Sequence, residues 1–420
     1  MHESVAPIRR FAELRRMTGT WFFVIAFAAR LPVAMNVVGV LTLVTVVRGS
    51  LADAGLVSAA VGLASGIGGP LLAALADRAG QRPVLLVTAP LHAALLVALV
   101  AVVYADATLP LLVAVAALAG VALPPASPMT RARWLMMLDR DTRSGGRGVP
   151  IALGYESMAD EISFVGGPVL VGALATGAGP AMPVYFSAAL AIVCVTAFAL
   201  HPSAKLVHRT DNGERVVAAP ARDLLGARVL LPTAGMVATG AFFASTLASA
   251  TAYAESVGAA ESTGLVYAAM GITSSLAAIL VERLPRGFTA RSRWVVAAAG
   301  MTGVALVMPF VPVLPGIVTT FALVGVAVGA NLVTLFTLAA HAAPTGRLAT
   351  TMTMLSSGVI VGQAVTMALV SRLAEAHGTV AAFWVVPGTA GAGLLLALVH
   401  LMLVRPRGRG GALEQHRQPV

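Results

Sequence analysis

Long apolar runs separated by short clusters of charged residues cover nearly the whole chain. Each run is about 20 to 28 residues long, enough for a helix rising about 1.5 Å per residue to cross a hydrocarbon core roughly 30 Å thick. The pattern therefore predicts membrane-spanning helices. Twelve spans are predicted, at about 20–47, 51–76, 83–104, 109–129, 149–177, 181–200, 229–256, 262–281, 294–312, 315–340, 349–371 and 379–404.

The composition agrees with a membrane protein of many spans. Of 420 residues, 58% are hydrophobic and only 11% are charged, whereas about 25% are charged in ordinary soluble domains. Cys194 is the single cysteine, which excludes a disulfide within the chain and a cysteine metal site. The first apolar run is too long for the hydrophobic core of a signal peptide. We expect it to remain as the first span.

The distribution of basic residues predicts the orientation. If both termini are cytoplasmic, 25 of the 28 Lys and Arg residues fall in cytoplasmic segments, as the positive-inside rule requires. The remaining three are Arg30, Arg48 and Arg372. We therefore expect a multi-pass protein of the inner (plasma) membrane, and attraction to anionic lipid explains the net charge of +10 without a nucleic-acid partner. The cytoplasmic residues comprise four in the amino-terminal tail, two at 77–82, five at 130–148, five at 201–228, four at 283–293, Arg347, and four after 404.

A polar stretch at 201–228 divides the chain into two halves. We predict an amino-terminal six-helix half at 1–200, a cytoplasmic linker at 201–228, and a carboxy-terminal six-helix half with a basic tail at 229–420. The loops "LADRAGQRP" and "VERLPRGFTARSR" resemble each other, with Asp77 and Glu282 in equivalent places. This weak similarity indicates an internal duplication, which is common among transporters.

The loop between spans two and three carries a recognisable motif. The segment "AALADRAGQRPVLL" at 73–86 resembles the major facilitator superfamily signature G-x-L-A-D-R-x-G-R-K-x-x-L, departing from it at Ala73 and Gln81. The resemblance implies an all-α membrane protein of twelve helices in two six-helix halves. Matching residues are Leu75, Ala76, Asp77, Arg78, Gly80, Arg82 and Leu85.

The same resemblance implies a role for the loop. Gly80 permits a tight turn with positive φ, and Arg78 and Arg82 hold the turn at the cytoplasmic surface. In the family, the aspartate equivalent to Asp77 reaches the amino-terminal end of span eleven, here near 347–351, where free N–H groups favour a negative charge. Such a contact would hold one conformation. The alternative is a turn that only sets the topology.

Span five contains a second, partial motif. The segment "SFVGGPVLVGAL" at 163–174 resembles the efflux-type signature g-x-x-x-G-P-x-x-G-G through Gly167, Pro168 and Gly172, and departs from it at Ser163 and Val171. Small residues let helices approach closely, and proline bends a span. The resemblance implies an exporter, with ordinary small-residue packing as the alternative.

Away from the span ends, four charged residues fall inside predicted spans, namely Arg30 in span one and Glu156, Asp160 and Glu161 in span five. Each costs about 2.5–3.5 kcal/mol at a span centre and needs a partner. Arg30 and Asp160 lie at similar depths, about 15 and 16 Å from the cytoplasmic ends of their spans. We predict that they pair, with Glu161 and Glu156 as the other candidates. At about 100° per residue, Glu161 points away from the stripe shared by Glu156 and Asp160.

This pair has two interpretations. A substrate that displaces the Arg30 guanidinium would leave Asp160 desolvated, so that the acid takes up a proton and couples transport to the proton gradient. Alternatively, the ion pair is static and only fixes the two helices. His92, in span three, is more typical of a hydrogen-bonded structural residue than of a titrating one, and Asn36, Asn331 and Gln363 either line a cavity or bond neighbouring carbonyls.

The expected function is a secondary active transporter that exports a small organic molecule by proton antiport through alternating access. It needs no cofactor other than the proton gradient, and we expect a monomer whose partners are its substrate, protons and membrane lipids. The alternative is a proton-coupled importer of a small solute such as a sugar or an amino acid derivative. An enzyme is not expected, since the chain has no Walker-type sequence and no pair of histidines at i,i+4 spacing.

Cysteine labelling tests the predicted topology. On a cysteine-free background, single cysteines at Gly146, Gly213 and Gly287 should react only with membrane-permeant reagents, because these positions are predicted to be cytoplasmic. Cysteines at Asp106 and Gly179 should react with impermeant reagents in intact cells. Labelling of position 213 from outside would contradict the two-half arrangement.

Overall fold

The protein folds into helices throughout the part that the computed structural model describes, which is residues 14–16, 18–140, 149–208, 218–256, 263–281, 284, 287–311, 314–377 and 379–404. The twelve membrane helices are α1 (Thr20–Arg48), α2 (Leu51–Ala79), α3 (Gln81–Tyr104), α4 (Leu109–Val121 continued by Ala126–Arg140), α5 (Val149–Ala178), α6 (Met182–Leu200, with a π-helical turn at Ala191–Val195), α7 (Ala227–Ser256), α8 (Thr263–Leu280), α9 (Ala290–Val307), α10 (Leu314–Ala342), α11 (Leu348–His377) and α12 (Thr379–Leu403).

These helices confirm the predicted all-α, twelve-helix fold. Eleven of them are long and apolar enough to cross a membrane, and α8 contributes a shorter apolar stretch, Ala269–Leu280. Because successive helices alternate in direction, the start of α1 and the end of α12 lie on the same side of the membrane. We call this the terminal side.

Helix packing in the last six helices repeats that of the first six. In the first set, α1 packs against α5 and α6, α2 against α4, and α3 against α4 and α6. In the second set, α7 packs against α11 and α12, α8 against α10, and α9 against α10 and α12. Adding six to each helix number converts one pattern into the other, as expected for a duplication. The exact domain boundaries remain a prediction.

Contacts between the two sets of six helices follow the same relation. Helix α2 packs against α11 and α5 against α8, and these pairs exchange when six is added or subtracted. The pairs formed by α4 with α11 and by α5 with α10 are related in the same way. The site described below lies between these four contacts.

Glycines set the closest helix approaches. A Cβ atom on Gly329 of α10 would overlap the carbonyl oxygen of Ser274 in α8, and one on Gly240 of α7 would overlap that of Val359 in α11. Lipid tails are as apolar as leucine, so membrane helices associate through such close packing and not through the hydrophobic effect. These glycines therefore allow the backbones to touch.

Helix α4 differs from its prediction. Span four is predicted to end near 129, with 130–148 as a cytoplasmic loop, but the helix is interrupted only at 122–125, which includes Pro124 and Pro125, and then continues to Arg140. Two arginines assigned to that loop, Arg131 and Arg133, are fully buried. The prediction was wrong here because apolar windows end at arginine even where partners inside the protein accept its hydrogen bonds. Cytoplasmic termini remain a prediction.

Alanine substitutions test the packing of the glycines. Gly329→Ala and Gly240→Ala should each destabilise the folded protein by about 1–3 kcal/mol, the usual cost of overpacking. Gly303→Ala in α9 is the control, since a Cβ atom there meets nothing within 4 Å. Thermal unfolding in detergent measures the difference. Equal midpoints for all three variants would show that the helices can separate without cost.

Candidate functional site

A cavity of about 170 Å³ lies between the two sets of six helices. Helices α1, α2, α4 and α5 of the first set and α7, α8, α10 and α11 of the second contribute to its walls. Four charged side chains line it, namely Arg30 of α1, Arg131 of α4, and Asp160 and Glu161 of α5. Both sets of helices therefore build one site at membrane depth.

Arg30 is held by two carboxylates of α5. Its guanidinium donates to Asp160 Oδ1 at 2.9 Å and to Glu156 Oε2 at 2.8 Å. It also donates to the carbonyl oxygen of Glu156 at 3.2 Å, and its Nε donates to that of Ala26 at 3.3 Å. The expected pair with Asp160 is present, together with the alternative partner Glu156. Glu161 does not bond Arg30 and contacts a different helix.

A second arginine, which sequence reasoning missed, completes this cluster. Arg131 donates to Asp160 Oδ2 at 2.6 Å and to Ser127 Oγ at 2.7 Å, and Ser127 donates in turn to Asp160 at 2.8 Å. The Arg131 guanidinium also lies 4.0 Å from the ring centroid of Phe336 in α10. The available signal was the i,i+4 spacing of Ser127 and Arg131, which places both on one face of a helix.

Glu156 is the most deeply buried member of the cluster. Its side chain is 0% exposed, and its second oxygen, Oε1, accepts from Trp134 Nε1 at 3.0 Å. Two guanidinium groups and two carboxylates make the cluster neutral overall, which offsets part of the desolvation of each charge. The Asp160 side chain is 22% exposed and is the part of the cluster that the cavity can reach.

Glu161 faces the other set of helices. Its carboxylate accepts hydrogen bonds from the hydroxyls of Ser274 and Ser275 in α8, the latter at 2.6 Å. Among the residues that the structure describes, no basic side chain forms an ion pair with it. Neighbours in sequence, Asp160 and Glu161 thus have different surroundings, as the 100° rotation between them predicts.

The loop after α2 makes the contact that the sequence resemblance implied. Asp77 accepts from the backbone N–H groups of Ala349 at 3.2 Å and Thr350 at 2.8 Å, and from the Thr350 hydroxyl at 2.5 Å. These residues form the first turn of α11, where unpaired N–H groups and the helix dipole favour an anion. Gly80 has φ 103°, the positive value that the turn requires.

A sequence profile described as "Major Facilitator Superfamily" matches residues 22–355. The chain belongs to the major facilitator superfamily. It is therefore a multi-pass membrane transport protein.

Two solved structures of other transporters are similar to this one. The human organic anion transporter MFSD10 (TETRAN) is 16% identical with a TM-score of 0.61, over 93% of this chain and 100% of that one. A bacterial homologue of the iron transporter ferroportin, in an outward-facing state with soaked iron, is 14% identical with a TM-score of 0.70, over 91% and 99% of the two chains. At such identities the likeness shows the fold alone. No curated protein matches the sequence significantly.

Gln81 explains one departure from the superfamily signature. It is fully buried where the signature has a basic residue, and its Oε1 accepts from Arg133 Nε at 2.8 Å. Arg133 also donates to the carbonyl oxygen of Phe198 at 2.7 Å and stacks on the Phe198 ring at 3.6 Å. A basic residue at position 81 would face this buried arginine. Arg78 and Arg82 are exposed, as expected for the surface of the turn.

The span-five motif is only partly a packing motif. Gly167 touches α1, since a Cβ atom there would lie 2.8 Å from that of Ala34. Gly172 is exposed, and a Cβ atom there would meet nothing within 4 Å, so the packing interpretation was wrong at this position. Pro168 lies inside α5, which continues to Ala178. Whether the motif marks an exporter stays a prediction.

His92 belongs to a buried network away from the cavity lining. Its Nδ1 lies 2.8 Å from the carbonyl oxygen of Ala119 and its Nε2 lies 3.0 Å from Asn36 Nδ2. Ser187 donates to the Asn36 side-chain oxygen at 2.5 Å. A neutral ring with its proton on Nδ1 satisfies all of these bonds, which agrees with the structural interpretation. Gln363, in contrast, lines the cavity.

Removing Glu156 should destabilise the fold. Glu156→Ala leaves Arg30 with one carboxylate and Trp134 without its acceptor, and breaking a buried pair in this way typically costs about 3–5 kcal/mol. The matched control is Asp106→Asn, since the Asp106 side chain is 90% exposed. Folded yield and thermal unfolding in detergent measure both variants. Equal stability would mean that the ion cluster does not hold α1 and α5 together.

Proposed function

We propose that this chain exports a small organic molecule in exchange for protons by alternating access. The observation that carries the proposal is a cavity shared by both sets of six helices in which Glu161 bridges α5 to α8 through hydroxyl groups alone, among the described contacts. A carboxylate at membrane depth marks a proton or substrate pathway more often than a structural contact. Glu161 lies between the two sets of six helices, which alternating access would move apart. Its surroundings would therefore change when the two sets separate.

The contacts between the two sets of helices support an outward-facing conformation. On the terminal side, Asp77 bonds the first turn of α11, and a Cβ atom on Gly154 of α5 would lie 2.7 Å from the carbonyl oxygen of Ala278 in α8. These contacts close that side of the cavity. We propose that both termini lie in the cytoplasm. The terminal side, which these contacts close, would then be the cytoplasmic side.

We assign the exchangeable proton to Glu161 in preference to Asp160. Protonating Asp160 would leave Arg131 without its ion-pair partner, and the cluster would carry one uncompensated positive charge inside the protein, which is costly. Among the described residues, the partners of Glu161 are hydroxyls, and a hydroxyl can donate to a carboxylate or accept from a carboxylic acid. Glu161 can therefore gain or lose a proton without leaving an unpaired group behind. The Arg30–Asp160 pair then acts as the fixed support of the site.

Conformational change would alter the surroundings of Glu161. Opening the terminal side requires α8 to move away from α5, since these helices are in contact there. The same movement withdraws Ser274 and Ser275 from the Glu161 carboxylate. Proton exchange at Glu161 is thereby tied to the exposure of the cavity, which is the requirement for antiport.

Inverted membrane vesicles test this function. Respiration acidifies the vesicle lumen, and a pH-sensitive dye reports proton release when ethidium, fluorescein or an uncharged dye of similar size is added. Wild-type vesicles should release protons with at least one of these compounds, because each compound entering the lumen is exchanged for protons. Glu161→Gln vesicles with equal amounts of folded protein should not respond, and Asp106→Asn vesicles should respond like the wild type.

The direction of transport is decided by the same vesicles. Export from the cell appears as accumulation of the compound in an acidified lumen. Accumulation driven only by an alkaline lumen would identify an importer instead. Equal proton release by wild-type and Glu161→Gln vesicles would contradict the assignment of the proton to Glu161.

A further inference from the structure

We propose that the cavity binds a hydrophobic organic molecule with a single positive charge, with Glu161 as its counter-ion. This inference rests on the proposed function and adds the chemical class of the substrate. It follows from which charges the cavity exposes, which charges are already neutralised, and what surrounds them.

The two arginines of the cavity are not available to a ligand. The side chains of Arg30 and Arg131 are each only 1% exposed. Their described hydrogen bonds go to Glu156, Asp160 and Ser127, and to backbone carbonyls in the case of Arg30. An anionic ligand would have to displace these carboxylates in order to reach a guanidinium. Both positive charges of the site are therefore neutralised by carboxylates of the protein itself.

The charges that a ligand can reach are negative. The Asp160 side chain is 22% exposed, and Glu161 is also partly exposed. Together with the two hidden arginines, these are the charged or titratable residues among the described cavity lining. A ligand entering the cavity thus meets carboxylate oxygens before it meets any cation.

Charge balance favours one positive charge on the ligand. Asp160 and Glu156 are matched by Arg30 and Arg131, so this cluster already has no net charge. Glu161 is the cavity carboxylate left without a cation among the described residues. A monocation would neutralise the site, and a proton on Glu161 would do the same. Ligand and proton therefore compete for one carboxylate, which is the basis of exchange between them.

The remaining wall suits a hydrophobic body. It contains the aromatic rings of Phe164 and Phe243, the thioethers of Met236 and Met270, and the aliphatic side chains of Leu332 and Ile360. Aromatic faces attract cations, and methionine adapts to ligands of different shapes. Serine and threonine hydroxyls and the Gln363 amide also line the cavity, so the apolar surface is accompanied by hydrogen-bond partners. An amphiphilic cation finds both an apolar surface and a counter-ion.

Equilibrium binding to the purified protein in detergent tests the inference, with radiolabelled tetraphenylphosphonium as the probe. Tetraphenylborate has nearly the same shape and the opposite charge, so it serves as the matched competitor. We expect saturable binding of the cation and no displacement by the anion. Glu161→Gln should weaken binding by about tenfold or more, Glu161→Asp should retain part of it, and Asp106→Asn should bind like the wild type.

The pH dependence gives a second readout. Wild-type affinity for the cation should fall as the pH is lowered, since protons occupy Glu161, and Glu161→Gln should lose most of this dependence. The other titratable group exposed to the ligand is Asp160, held by Arg30 and Arg131, and the partners of Glu161 on α8 are the hydroxyls of Ser274 and Ser275. Folding of each variant is checked by its thermal unfolding.

Several outcomes would overturn the inference. They are absence of tetraphenylphosphonium binding to the wild type, displacement by tetraphenylborate at equal concentration, and unchanged binding in folded Glu161→Gln protein. Because binding is measured without a gradient, it is separable from the proposed function. If the protein binds the cation but the vesicles release no protons, proton antiport is contradicted and the cationic substrate class is not. If only the anionic or the uncharged dye is exported in exchange for protons, the cationic substrate class is contradicted and proton antiport is not.

Discussion

A guanidinium group at membrane depth needs hydrogen-bond acceptors within reach, because neither lipid nor apolar side chains can replace its water, and a carboxylate acceptor also neutralises its charge. Helix α5 supplies both carboxylates, and they draw together Arg30 of α1 and Arg131 of α4. Three helices of the first set are thereby fixed to one another around a neutral cluster. In the alternating-access cycle that we propose, the cavity wall that they form would move as one body against the second set of helices.

The next residue along α5 has the opposite property. One step of about 100° turns Glu161 away from the arginines and towards α8, where its described partners are uncharged hydroxyls. A single helix therefore carries an ion-paired cluster on one face and, on another, the carboxylate to which we assign the exchangeable proton. Under the proposed function, this division would let the transporter keep buried charges for stability while one acid responds to protons or substrate.

Much of this arrangement could be predicted from the sequence. The apolar runs predicted the twelve helices. Counting residues from the helix ends predicted that Arg30 and Asp160 lie at the same depth, and the two side chains are paired. Arg131 was missed because hydropathy treats every arginine as a span end, although Ser127 and Asp160 satisfy this one inside the protein. The contact of Glu161 with α8 depends on the register between two helices that are distant in sequence, and no local pattern encodes that register.

The two symmetry-related contacts between the halves differ in what they require of their acids. Where α2 meets α11, each Asp77 carboxylate oxygen accepts from a backbone N–H group, which can only donate, and one of them also accepts from the Thr350 hydroxyl, so this contact favours an ionised carboxylate. Where α5 meets α8, Glu161 faces hydroxyls, which can donate or accept, so this contact tolerates both protonation states. The contact between α2 and α11 therefore depends on a charged carboxylate, whereas the symmetry-related contact between α5 and α8 accommodates either protonation state. This difference is why we assign the proton of the proposed exchange to the contact between α5 and α8.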